Sequence, residues 1–230
     1  MTSEEIHAPQ SNNDKVKYII GIAIAFLIPL GLTLALGKIN IASFDKVFYS
    51  RFFYWGTALF LLGYAYVIEK QKLLIWPEND PGIAFFLVSV VVLYLAFIGA
   101  ALVSAIPMFL GVREKNEVMH TITALLKGHG VMVFFIAFTA GVTEELIFRG
   151  YVLTRLMKLF KEPIIPILIS STLFSALHYK YNSLRELIFA FLIGVIFSIY
   201  YIKYRNIKAL ILTHFLIDFI SLNMAQHFTK

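Results

Sequence analysis

Glu144, Glu145 and Arg149 lie in the helix-forming run GVTEELIFRGYVL, inside a chain that otherwise reads as a series of apolar spans. Three charges in such surroundings are costly unless they pair or line a wet cavity, which makes them the first candidates for chemistry. Residues four apart share a helix face, so Glu145 can pair with Arg149 while Glu144 is turned about 100° away. Glu144 is thereby left as the carboxylate without a partner, a candidate proton acceptor and donor. The competing reading makes both glutamates polar contacts between helices, or places them in a headgroup layer.

Two histidines share that apolar setting. His178 ends the segment STLFSALHYKY, with Phe174 and Ser171 as its same-face neighbours. It reads either as a catalytic or ligand residue or as an interface residue near a span end. His214 lies deeper in its run, and Asp218 follows four residues on, where a carboxylate can fix the imidazole's tautomer and orientation. Glu, His and His from three helices can hold zinc with a water as fourth ligand, or can activate water without a metal. The residues alone leave both open. No H-E-x-x-H is present, and the spacings of 34 and 36 residues between Glu144, His178 and His214 carry no local zinc-helix signature.

Positioning these groups requires a membrane bundle. The 230 residues are 59% hydrophobic, with 22 Phe and 12 Tyr against 20 Lys and Arg and 14 Asp and Glu, too apolar for an ordinary soluble domain. Charges gather between long apolar runs, which argues against a β-barrel and for an all-α polytopic membrane helix bundle. The net charge of +6 comes from short linkers suited to anionic headgroups, so the lipid bilayer rather than nucleic acid is the expected partner. With no cysteine, disulfide and thiolate chemistry are excluded. The apolar segment after the polar start lacks a clear cleavage site and reads as a retained span.

Apolar runs fall at 18–36, 52–67, 83–110, 131–160, 163–177, 187–202 and 209–224, which predicts about seven transmembrane helices. The number becomes eight if the long third run, with its bend near Pro107, or the 113–130 linker divides differently. Pro29 is expected to bend the first run, Trp76, Pro77 and the DPG at Asp80 to Gly82 to mark a turn, and VREKNEVMHTITALLKGHG to form an amphipathic surface helix. Gly194 and Ser198 form a small-xxx-small face that lets a neighbouring helix come close. Residues 1–17 read as a polar N-terminal tail, and 18–230 as a single membrane domain. Basic residues are nearly balanced between the two sides. The clusters at 155–161 and 203–208 favour a multi-pass protein of the cell membrane with a cytoplasmic amino terminus.

With these residues in view, the chain resembles the CPBP family of intramembrane proteases, also called the Abi or CAAX protease family, which includes the type II CAAX prenyl endopeptidases. The resemblance rests on E-E-x-x-x-R with F-R-G at Glu144, Glu145, Phe148, Arg149 and Gly150, on F-x-x-x-H at Phe174 and His178, and on H-x-x-x-N/D at His214 and Asp218. It covers roughly 125–224, the expected protease-like core. It implies a helical bundle around a hydrophilic cavity open to the cytosol. Glu144 and His178 would hold and deprotonate the attacking water, and His214 with Asp218 would stabilise the oxyanion. Glu145 and Arg149 would support the site from behind. It also implies a metal-independent glutamate protease with no cofactor, zinc being the alternative. Asp218 departs from the Asn of the prenyl endopeptidases and, when ionised, accepts hydrogen bonds without donating one.

The expected function is therefore an intramembrane endopeptidase acting on a membrane-associated peptide or protein. Its rivals are a non-proteolytic scaffold or bacteriocin-immunity protein using the same cavity, and a small transporter with Glu144 and Asp218 as proton relays, for which no repeat is visible. The short tail and compact size point to a bacterial or archaeal source. Substrate identity and oligomeric state are not encoded in any of these features. One geometric condition stands out. His178 lies about 15 residues past the start of its run and His214 about 7 past its own, so parallel helices starting level would separate them by roughly 12 Å.

Overall fold

Apolar runs of this length can hide their backbone polar groups in a bilayer only as helices or closed barrels. The computed structural model, which describes residues 11–79, 82–112 and 117–228, is all-helical in these runs. Among the described residues six helices are long and apolar enough to cross a membrane. They are α1 (Asn12–Lys38), α2 (Ser43–Glu69), α3 (Ile83–Phe109), α5 (Gly130–Leu159), α7 (Leu184–Tyr204) and α8 (Ile207–Phe228), with the shorter α4 (Glu117–Leu126) and α6 (Ile164–Ala176) between them. The protein is thus an all-α polytopic membrane bundle. The seven expected spans resolve into six long helices and α6, whose 13 residues extend only roughly 20 Å.

Several boundaries differ from expectation for identifiable reasons. α1 begins at Asn12, inside the stretch read as a tail, because the Ser11 hydroxyl accepts the Asp14 N–H at 3.1 Å and caps it. Residues 1–10 of that tail lie outside the described residues, as do Asp80 and Pro81 of the expected turn and residues 113–116 of the linker. α2 begins at Ser43 rather than near Phe52, so Arg51 is a helical residue and not a flank. A turn at Ala105 interrupts α3 just before Pro107. α7 starts with Ser183 accepting from Glu186 N at 3.2 Å, a capping arrangement written in the sequence as S-x-x-E.

α5 is the axis of the bundle. In its most apolar window 67% of residues are buried, against 17 to 39% in the other spans. Two glycines bring neighbours against the helices that carry the candidate residues. A Cβ on Gly141 of α5 would meet Phe215 N of α8 at 2.9 Å, and one on Gly194 of α7 would meet Ser171 Cβ of α6 at 2.8 Å. The second contact is the small-residue approach expected at Gly194. From Leu146 to Leu153 α5 widens into a π-helical stretch that carries Arg149 at its centre, the kind of local irregularity often found at functional sites.

The segment after α2 folds against the bundle instead of running free. Glu69 and Arg155 form a buried ion pair at 2.8 Å, and Tyr151 donates to Glu69 at 2.5 Å. Trp76, read as part of a turn, is core, with its ring 5.3 Å from that of Tyr201. Glu78 accepts the Ile207 N–H at 2.6 Å, and Asn206 Nδ2 donates to the Asn79 carbonyl at 2.8 Å. This loop covers the first turn of α8, where Asn206, Ala209 and Leu210 are fully buried. α8 therefore starts beneath a cap of protein, and both histidines reach the same cavity despite their different distances from the helix starts.

Candidate active site

Each candidate side chain is delivered by a different part of the bundle. Glu144 and Glu145 sit at the end of the regular part of α5, just before its π-helical stretch. His178 lies immediately after α6, at the start of the 3-10 turn Tyr179–Tyr181. His214 and Asp218 occupy successive turns of α8. Glu144, His178, His214 and Asp218 all line one cavity of about 490 Å³. Its apolar walls come from α3, α7 and α8, including Phe97, Phe189, Ile193 and Ile217.

The carboxylate pair divides as helical geometry dictates. Glu145 is fully buried, and its Oε1 accepts from Arg149 Nη1 at 2.9 Å. The same oxygen accepts from His214 Nδ1 at 2.7 Å, a bond between α5 and α8 that local spacing cannot reveal. Asp218, expected to hold the His214 ring, stands 3.6 Å from Nε2, too far for a hydrogen bond. The carboxylate that fixes this imidazole is Glu145. Glu144 is 8% exposed, and among the described residues it has neither a hydrogen bond nor an ion pair. It lines the same cavity as Tyr181, His214 and Asp218, which places it among these groups.

Aromatic rings hold the cations in place. The Arg149 guanidinium lies 4.5 Å from the Phe174 ring centroid and 5.3 Å from that of Phe197. Phe174 also stands 4.9 Å from the His178 ring and 6.5 Å from the His214 ring, so the two histidines flank one phenylalanine. His178 Nδ1 is 3.0 Å from the Phe174 carbonyl. A carbonyl only accepts, so Nδ1 carries a proton, and in the neutral ring Nε2 holds the lone pair. The F-x-x-x-H spacing therefore sets both the position and the tautomer of His178.

Several polar and aromatic lining residues carry no signal in the motif pattern. Arg51 on α2, Tyr181 in the turn after His178, and Phe197 on α7 all contribute to the cavity. Arg51 had a visible signal, a cation beside the aromatic run FFYW, hidden because the span was started one residue later. The Tyr181 ring lies 5.8 Å from that of His178. Tyr181 is outside the spanning helices, and burial pushes its phenol up to about 12, so it remains a neutral hydroxyl. Among the described residues no three His, Asp or Glu side chains are arranged to hold a metal ion.

The cavity sits at the end of the bundle where α1 finishes. Arg51 belongs to the early turns of α2, Ser104 to the end of the first part of α3, and Lys180 donates to the Thr33 carbonyl of α1 at 2.7 Å. A first helix that crosses the bilayer puts Asn12 and this cavity on opposite faces. With α1 spanning the bilayer, a cytoplasmic amino terminus would set this end of the bundle toward the opposite side.

Residues 127–220 match the family model described as Type II CAAX prenyl endopeptidase Rce1-like. The matched stretch contains every candidate residue from Glu144 to Asp218, and it leaves out α1, α2 and α3. No curated protein and no solved structure matches the chain.

Proposed function

We propose that the protein is an intramembrane endopeptidase in which Glu144 and His178 activate water for attack on a peptide bond of a membrane-associated substrate. The observation that carries this reading is Glu144 itself, a buried carboxylate with no protein partner among the described residues, on the wall of the cavity it shares with His178 and His214. A water between Glu144 and His178 would donate one proton to the carboxylate while its oxygen attacks the carbonyl carbon. His178 Nε2, free because Nδ1 is bound to the Phe174 carbonyl, accepts from the same water and orients it.

The tetrahedral oxyanion then needs donors. His214 is the candidate, with Nδ1 held by Glu145 and Nε2 turned toward Asp218 and the cavity. Two carboxylates flank this ring, so an imidazolium is balanced in charge there and donates from Nε2. Asp218 acts as that balancing charge rather than as a donor. Collapse of the intermediate breaks the carbon–nitrogen bond, and Glu144 returns its proton to the departing amine. Glu145 and Arg149 keep His214 in position.

Purified protein in detergent or proteoliposomes should cleave an apolar reporter peptide, and Glu144→Gln should lose the activity while remaining folded. Full activity in Glu144→Gln would end this reading. Loss of activity with 1,10-phenanthroline, restored by zinc, would replace the two-residue water site with a metal-bound water.

A further inference from the structure

Two arginines are fully buried in the bundle, and each meets a carboxylate. Arg149 pairs with Glu145 at 2.9 Å and Arg155 with Glu69 at 2.8 Å. Arg51 is different. It lines the cavity from α2 and, among the described residues, has no ion pair. Its Nε and Nη2 both rest on the Ser50 hydroxyl at 3.2 Å, and its guanidinium lies 5.4 Å from the Tyr54 ring centroid. These contacts hold the planar group in place without neutralising it. It shares the cavity wall with Glu144, His178, Tyr181 and Asp218. Arg185, the other arginine on the lining, has an interaction of its own.

A cation in an apolar, partly buried place is costly without a counter-ion, and a guanidinium is the side chain best shaped to take a carboxylate through paired hydrogen bonds. We infer that Arg51 is a specificity residue of the cavity, which docks a carboxylate of the substrate and so sets which peptide bond reaches Glu144. This rests on the endopeptidase reading for its catalytic consequence, but not for the binding itself. The carboxylate has two possible sources, an acidic side chain or the free end of a chain. Both present the same planar anion.

The test uses full-length protein in detergent micelles and three fluorescein-labelled, leucine- and alanine-rich peptides. One has a free terminal carboxylate, one is amidated and carries a single Glu, and one is amidated with Gln in place of that Glu. Binding is measured by anisotropy to Glu144→Gln, with and without Arg51→Gln, and cleavage is measured with wild type and Arg51→Gln. At least one carboxylate peptide is expected to bind roughly tenfold or more tightly than the neutral one, as for a hydrogen-bonded ion pair. Arg51→Gln should reduce that preference to within about threefold and Arg51→Lys should restore part of it, as expected for a fork-shaped donor. In the cleavage assay KM for the preferred peptide should rise while kcat, and turnover of the neutral peptide, hold.

Which carboxylate peptide shows the preference identifies the source. Equal binding of all three peptides, no binding of any, or an equal loss for charged and neutral peptides in Arg51→Gln would overturn the inference. Carboxylate-selective binding without cleavage by wild type would retain the anion site and remove the endopeptidase reading. Cleavage without selectivity would do the reverse.

Discussion

Glu144 and Glu145 are adjacent in sequence, and replacing each by Gln should have opposite consequences. Glu145 is fully buried, and its Oε1 serves both Arg149 at 2.9 Å and His214 at 2.7 Å. Glu145→Gln leaves the buried guanidinium without a counter-charge, a loss of about 3–5 kcal/mol for a pair of this kind. Some support survives, because the guanidinium keeps its place over Phe174 and Phe197. Such contacts are worth about 0.5–2 kcal/mol, so they do not replace the ion pair. A net cost of about 3 kcal/mol follows, roughly a hundredfold in the folded-to-unfolded ratio. Glu144 has no such partner among the described residues, so Glu144→Gln should change stability by about 0.5 kcal/mol or less. Unfolding in increasing SDS, followed by circular dichroism, reads both, alongside the peptide cleavage assay. The reasoning fails if the two variants unfold at the same SDS fraction, or if Glu145→Gln is as stable as wild type.

Other perturbations separate chemistry from architecture. His178→Ala should abolish cleavage yet cost about 1 kcal/mol or less, since Nδ1 bonds only the Phe174 carbonyl four residues back; a large drop in unfolding resistance would assign His178 a structural role. Gly194→Ala places a Cβ 2.8 Å from Ser171 Cβ and should destabilise the α6–α7 contact by about 1–3 kcal/mol, with cleavage falling as His178 shifts. Arg155→Met strands Glu69 at the end of the bundle away from the cavity. It should lower stability by about 3–5 kcal/mol while leaving cleavage per folded molecule unchanged, which titration of the folded fraction would check.

Local chemistry was readable in advance, and relations between helices were not. The Glu145–Arg149 pair follows from a four-residue spacing, and the same spacing puts Phe174 on the face of His178. Helical class followed from the length and continuity of the apolar runs. The Glu145–His214 bond could not be foreseen, because it depends on Gly141 letting α8 press against α5. Asp218 had been given the role that Glu145 plays, since a neighbour on the same helix is the only partner that spacing offers. The expected offset between the histidines assumed helices starting level; both reach the same cavity, with Glu78 and Asn79 capping the beginning of α8. Arg51 was missed because the hydropathy of 52–67 outweighed a single cation at its edge.

The placement of the cavity at the far end of α1 has a practical corollary for the biology of any product. On the proposed endopeptidase reading, and with α1 spanning the bilayer, cut ends would be released on the side opposite Asn12. A chain devoid of cysteine makes the matter directly measurable: a thiol introduced near Lys180, probed with an impermeant maleimide on intact cells, reports the side from which targets are drawn.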